Sequence, residues 1–206
     1  MVYAFIAHSL LPGTCRVLYS TTFGLEDSQT VNYISRPSDV DSESKHDTGK
    51  DCRVERKEQM SSVARQVQSE FSFRKAVLGC SVEDDMLRHS IEDPTVKSIS
   101  GCFRLPAGDP FVTEKIVLWQ GIGNLGLSLV CEKYENRLQA EAILKLLARY
   151  LQEHLKALDQ PQEILLKMDK VAAIVHHILP QGQLLFMNNT VVKQIEKELD
   201  NMINSK

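Results

Sequence analysis

Apolar residues along the chain first alternate and later recur every three or four positions. Val2-Tyr3-Ala4-Phe5-Ile6-Ala7 is apolar on both faces of an extended chain, so residues 2–8 are predicted as a strand that is central or covered on both sides. Pro12-Gly13 is a turn signal, and residues 15–23 are predicted as a second strand with Val17 and Tyr19 on one face. Two strands across so short a turn make a hairpin the economical reading. Three further strands are predicted at 100–105, 115–121 and 125–132. Pro106, Gly108 and Pro110 punctuate the first gap between them, and Gly121, Gly123 and Gly126 surround the second.

The helical period appears first between about Val54 and Phe73, where Met60, Val63, Val67 and Phe71 form one stripe and Arg56, Glu58, Arg65 and Glu70 lie off it. It returns after Asn136. Ile143, Leu147, Tyr150/Leu151 and Leu155 predict a helix over 136–158, stopped by Asp159-Gln160-Pro161. Pro161 suits the first turn of a helix reaching to about Leu179, with Leu165, Met168, Ala172, Val175 and Ile178/Leu179 predicted to face inward. Pro180-Gln181-Gly182 ends that helix, the short apolar run Leu184–Met187 follows, and a last helix at 190–203 carries Val191, Ile195, Leu199 and Met202. The order is strand, strand, helix, three strands, helices. Strands joined by short turns pair antiparallel, and amphipathic helices must cover the apolar faces of their sheet, so the class is α+β, built in layers.

Two segments fall outside both periods. Residues 25–52 are dominated by Ser, Asp, Glu, Thr and Lys, and their few apolar residues (Val31, Tyr33, Ile34, Val40) follow no period. Such a segment cannot bury enough surface to offset its chain entropy and is read as a disordered insertion loop. Residues 74–98, with Glu83-Asp84-Asp85 and Glu92-Asp93-Pro94, are read as a second, acidic loop. The whole, 1–206, is one domain with these insertions. Its 24 basic residues against 27 acidic ones leave a formal charge of −3, without the basic footprint expected of a protein that grips nucleic acid directly. No run approaches the roughly 18 apolar residues of a membrane-spanning helix. The apolar N-terminus has no Lys or Arg ahead of it, and His8 and Pro12 interrupt it, so a secretory signal is not expected. Five cysteines (Cys15, Cys52, Cys80, Cys102, Cys131), an odd number with no CxxC pair, read as thiols of a reducing compartment. The sequon Asn188-Asn189-Thr190 is then without consequence.

The sharpest formal motif is Gly121-Ile122-Gly123-Asn124-Leu125-Gly126, with Glu141 twenty residues after Gly121. It spells the dinucleotide fingerprint, whose glycines must open a helix so that its first amides receive a pyrophosphate. Leu127-Ser128-Leu129-Val130-Cys131 reads instead as a strand, and a tight reversal between antiparallel strands explains the glycines more simply. His176-His177 are adjacent, so only one can face inward, and they lack the spacing of zinc ligands. Cys15 and Cys131 sit in strand patterns, where packing is the commoner use. Leu165-Leu166 and Leu184-Leu185, which imitate sorting signals, are expected to be buried. There is no Gly-x-Ser-x-Gly elbow and no phosphate loop. The expectation is therefore no catalytic residue, no cofactor and no metal site.

A resemblance goes further than spacing does. Ala4-Phe5-Ile6, Gly13-Thr14-Cys15-Arg16-Val17-Leu18-Tyr19, Lys115-Ile116-Val117-Leu118, Glu135-Asn136-Arg137-Leu138 and Met168-Asp169-Lys170-Val171, in that order, resemble the sigma, or small, subunits of the clathrin-adaptor class of vesicle coats. Within that class, Arg56-Lys57-Glu58-Gln59, Gly101-Cys102-Phe103-Arg104-Leu105 and Leu179-Pro180-Gln181-Gly182-Gln183-Leu184-Leu185-Phe186 are similar to the sigma subunits of adaptor-protein complex 5. The resemblance implies a longin-like fold, a five-stranded antiparallel sheet with helices on both faces. It implies a non-enzymatic part of a heterotetramer with two large subunits (zeta and beta) and a medium subunit (mu), associated with spatacsin and spastizin. It implies a cytoplasmic protein, peripheral to the cytosolic face of late endosomes and lysosomes, in vesicle-mediated protein transport. The alternative it implies is a nuclear role, through partners, in repair of DNA double-strand breaks by homologous recombination. Arg16 matches the basic residue that, in other sigma subunits, meets the acidic residue of dileucine sorting signals.

Overall fold

The structure, a computed structural model, describes residues 1–13, 15–24, 48–78, 98–186 and 188–204. Its elements are β1 (Val2–Ser9), β2 (Val17–Thr22), α1 (Thr48–Val77), β3 (Ile99–Leu105), β4 (Lys115–Ile122), β5 (Leu125–Glu132), α2 (Arg137–Leu155), α3 (Glu163–Leu166), α4 (Met168–Ile178), a 3₁₀ turn at Pro180–Gly182, and α5 (Asn189–Asn204). The strands form one sheet in the order β2-β1-β5-β4-β3, with every neighbouring pair antiparallel. The architecture is α+β and longin-like, as expected.

Alternation along the three inner strands builds two cores. Phe5 and Ala7 of β1, Ile116 and Leu118 of β4 and Leu127 and Leu129 of β5 point to one face, where Ile143, Leu147 and Leu151 of α2 and Val171 and Ile174 of α4 cover them. Ala4 and Ile6, Val117 and Trp119, and Val130 point the other way and meet Met60, Val63, Val67 and Phe71 of α1. A strand covered on both faces is apolar at nearly every position, which is why β1, β4 and β5 read as near-continuous apolar runs, interrupted by the buried polar residues His8, Lys115, Gln120 and Ser128. A register shift between Val2 and Ala4 lets Tyr3 join Ala4 on the α1 face.

α2 starts where the sequence places it because Asn136 caps it: its Oδ1 accepts from the Leu138 and Gln139 amides at 3.1 and 3.2 Å. It ends at Lys156, whose left-handed backbone (φ 52°) closes the last turn. The helix predicted from Pro161 to Leu179 is corrected. Lys167 leaves helical geometry (φ −124°, ψ 44°) and divides it into α3 and α4. The break resets the phase, so Ile164, Val171, Ile174, Val175, Ile178 and Leu179 are buried, whereas Leu165, Met168 and Ala172 face outward. The expected burial of Leu165-Leu166 is likewise overturned, with Leu166 76% exposed. Leu184 and Leu185 are half-buried in a segment without regular structure. α1 is longer than its apolar stripe and takes in residues 48–52 and 74–77, which the sequence reading gives to the flanking loops. The remainder of those two predicted loops, 25–47 and 79–97, lies outside the described residues. Among the described residues, no helix is long and apolar enough to cross a membrane.

Candidate functional site at the turn end of the sheet

The β1–β2 connection and the β4–β5 turn lie at one end of the sheet and are tied together. The Ser9 amide donates to the Arg16 carbonyl and the Leu10 amide to the Asn124 carbonyl, each at 2.8 Å. Gln68 of α1 donates through Nε2 to the Leu11 carbonyl at 2.6 Å. This end therefore carries both features the sequence singles out, Arg16 and the glycine-rich segment.

The glycines join two strands. Ile122 pairs with Leu125 and Gly121 with Gly126, leaving Gly123-Asn124 as a two-residue turn. Gly123 has φ +55°, a left-handed conformation that a side chain disfavours. Gly121 and Gly126 are needed for another reason. A Cβ on Gly121 would collide with the Phe71 ring of α1, and one on Gly126 would lie 2.5 Å from the His8 ring. Side by side, the two glycines leave a notch on the α1 face into which both rings drop. No helix follows Gly126, so the amide cradle a pyrophosphate requires is not formed. Glu141 lies on α2, paired with Lys145 at 2.8 Å. The reading of the segment as a strand reversal holds.

Arg16 sits one residue ahead of β2, an edge strand, with its side chain exposed. Among the described residues its guanidinium makes no ion pair. The apolar side chains of the same rim, Leu10, Ile122 and Leu158, are committed to the core, while Leu11 is 51% exposed. Cys15 also precedes β2 rather than lying within it; its Sγ is 3.8 Å from His8 Nδ1, and burial raises its pKa. Cys131 is buried in β5 among the α2-side core, where burial pushes its thiol up to about 12. Both shifts favour the neutral thiol over the nucleophilic thiolate. His176 is exposed, and half-buried His177 lies with Nδ1 2.9 Å from the Ala173 carbonyl one helical turn back. Among the described residues no three His, Cys, Asp or Glu side chains gather as metal ligands would.

Sequence reasoning treats His8 as isolated, yet it is the most constrained ionisable group of this end. It is fully buried; Nδ1 lies 3.3 Å from the Ser9 carbonyl, and Nε2 is buried with no partner among the described residues. Burial lowers its pKa to about 4, against a smaller upward pull from the Ser9 carbonyl. The one available signal was the glycine on the adjacent strand, which exists to admit the ring.

A family model described as AP-5 complex subunit sigma-1 matches residues 1–200. The chain belongs to the AP-5 complex sigma-1 subunit family. The human AP-5 complex subunit sigma-1 is 38% identical to it over 205 residues, which is 96% of each chain. The mouse protein of the same description is 42% identical over 165 residues, 77% of this chain and 90% of its own. Membership of the AP-5 sigma-1 family accounts for the longin-like sheet and for the order of the matching stretches, which span both cores.

Proposed function

We propose that the chain is a non-enzymatic small subunit of an AP-5-type adaptor complex and acts in vesicle-mediated protein transport at late endosomes and lysosomes. The observation that carries this reading is the family match over residues 1–200. Its companions would be the zeta and beta large subunits and the mu subunit, with spatacsin and spastizin as associated proteins. The test is affinity purification of the full chain from cells at native abundance, followed by quantification of what accompanies it. Two large subunits and one medium subunit in equimolar amounts, cofractionating with late endosomal membranes, are expected. Stoichiometric recovery of nuclear repair proteins without those subunits would replace this reading by the recombination one.

Arg16 is proposed as the contact for the acidic residue of a dileucine signal. What supports it is its position: exposed, cationic and unpaired among the described residues, beside exposed Leu11 on the turn end of the sheet. A charge-assisted hydrogen bond of about 1.5–3 kcal/mol would be lost with the guanidinium. Arg16→Ala in the assembled complex is expected to weaken an acidic dileucine peptide roughly tenfold or more by fluorescence anisotropy. Equal affinity for both complexes, or no binding to either, removes Arg16 from cargo recognition.

A further inference from the structure

β3 is the end strand of the sheet on the side away from β2, and α2 packs over β4 and β5 beside it. The uncovered strip is a cleft of about 370 Å³ between β3 and α2. Its floor is apolar, Leu118 of β4 and Leu144 of α2, and Leu138 stands 80% exposed at one wall. Its charged lining is mostly basic: Arg74 of α1, Arg137 and Lys145 against the single acid Glu141, which is already held by Lys145. Among the described residues Arg137 makes no ion pair.

The outer side of β3 has polar backbone to offer. Arg74 reaches round the end of α1, lies over the Trp119 ring at 5.2 Å, and donates to the Ser100 carbonyl at 2.6 Å. Gly101 permits this, since a Cβ there would sit 2.7 Å from the guanidinium carbon. A Ser100 carbonyl turned outward means that Cys102 and Arg104, two and four residues on, turn their N–H and C=O groups outward as well. Among the described residues no strand pairs with them. A further polar atom of a lining residue is unpartnered among the described residues although its side chain is almost fully buried: Gln120 Oε1, in a residue 2% exposed.

From these observations we infer that the β3 edge and its cleft form a docking site for an extended acidic segment of a partner protein, which adds to the sheet as a sixth strand. Main-chain bonds to Cys102 and Arg104 supply the register, and alternate side chains of the segment fall toward the cleft. There an apolar side chain meets Leu138 and the floor, and a carboxylate meets Arg137. Arg74 is 4.0 Å from Glu70 and Lys145 pairs with Glu141, so Arg137, without an ion pair among the described residues, is the cation that selects an acidic occupant over a basic one. This inference is independent of Arg16 and of the membrane at which the protein acts.

The test is selection of a random dodecapeptide library, displayed on phage, against the full chain in the assembly with which it purifies. Enrichment of acidic peptides with apolar residues at alternate positions is expected. A selected peptide should slow hydrogen exchange at the Cys102 and Arg104 amides and lose at least tenfold in affinity for a chain carrying Arg137→Glu and Lys145→Gln. Both substituted residues are exposed, so the fold survives the change. The inference is overturned by no enrichment, by peptides without acidic residues, by binding that leaves β3 exchange unchanged, or by polyglutamate binding as tightly as the selected peptide. Exchange at β3 already slow in the assembly without peptide would give the edge to a permanent neighbour and overturn it too.

Discussion

Between pH 6.5 and pH 4 the fold is expected to lose stability on the order of 3 kcal/mol through His8 alone. In the native state the imidazole is held neutral because it is buried and its Nε2 has no acceptor among the described residues; its pKa is about 4 against 6.5 in the unfolded chain. Through that window the unfolded state binds the proton and the native state does not, so stability falls as pH falls and levels off once both states are protonated. Two and a half pH units at 1.36 kcal/mol each set the size. The neighbours compensate an imidazolium only in part: the Ser9 carbonyl raises the pKa by less than burial lowers it, burial favours the neutral thiol of Cys15, and Gly126 brings only backbone. Denaturant midpoints of the full chain at pH 7 and pH 4.5, followed by the single tryptophan Trp119, should fall much further in the wild type than in His8→Gln, which cannot titrate. Parallel loss in both proteins would place the acid sensitivity elsewhere.

The residues behind that prediction show where reading the sequence succeeds and where it stops. Hydrophobic patterning is a local property, and the five strands, their antiparallel pairing through short turns and the two-sided cover of β1 are legible in it. The stripes of α1 and α2 are legible because each helix is continuous and buries one side. The α3–α4 segment fails the same treatment. It is apolar at two competing sets of positions, Leu165/Met168/Ala172 and Ile164/Val171/Ile174, and only the non-helical Lys167 chooses between them. Nothing local in Leu165-Leu166-Lys167-Met168 announces that break. Partners distant in sequence are equally out of reach. His8 and Gly126, or Arg74 and Ser100, meet across the sheet, and a chain read in windows brings neither pair together. Arg16 was identified by resemblance, and the structure adds its exposure, its place just ahead of β2, and its tie to Ser9.

Substituting the paired glycines is the sharpest way to separate a strand reversal from a nucleotide cradle. A methyl on Gly126 would stand 2.5 Å from His8 Cε1, and His8, fully buried, cannot withdraw without vacating its place between β1 and β5. Overpacking of this kind costs typically 1–3 kcal/mol, and this site belongs at the upper end because the ring is rigid and enclosed. Gly126→Ala is therefore expected to lower stability by about 2–3 kcal/mol, and Gly121→Ala, which strikes Phe71 and Leu10, by a similar amount. Gly123→Ala meets no close neighbour and carries only the strain of a left-handed alanine, about 1–2 kcal/mol. A phosphate-binding loop would show the reverse: its glycines serve a ligand, so the substitutions would leave the denaturation midpoint alone and abolish binding of a nucleotide. Denaturant titration of the three variants beside the wild type, with calorimetric titration of NAD and ATP into each, distinguishes the two. An unchanged midpoint for Gly126→Ala, or saturable nucleotide binding lost with it, would overturn the notch and with it the packing of α1 on this end of the sheet.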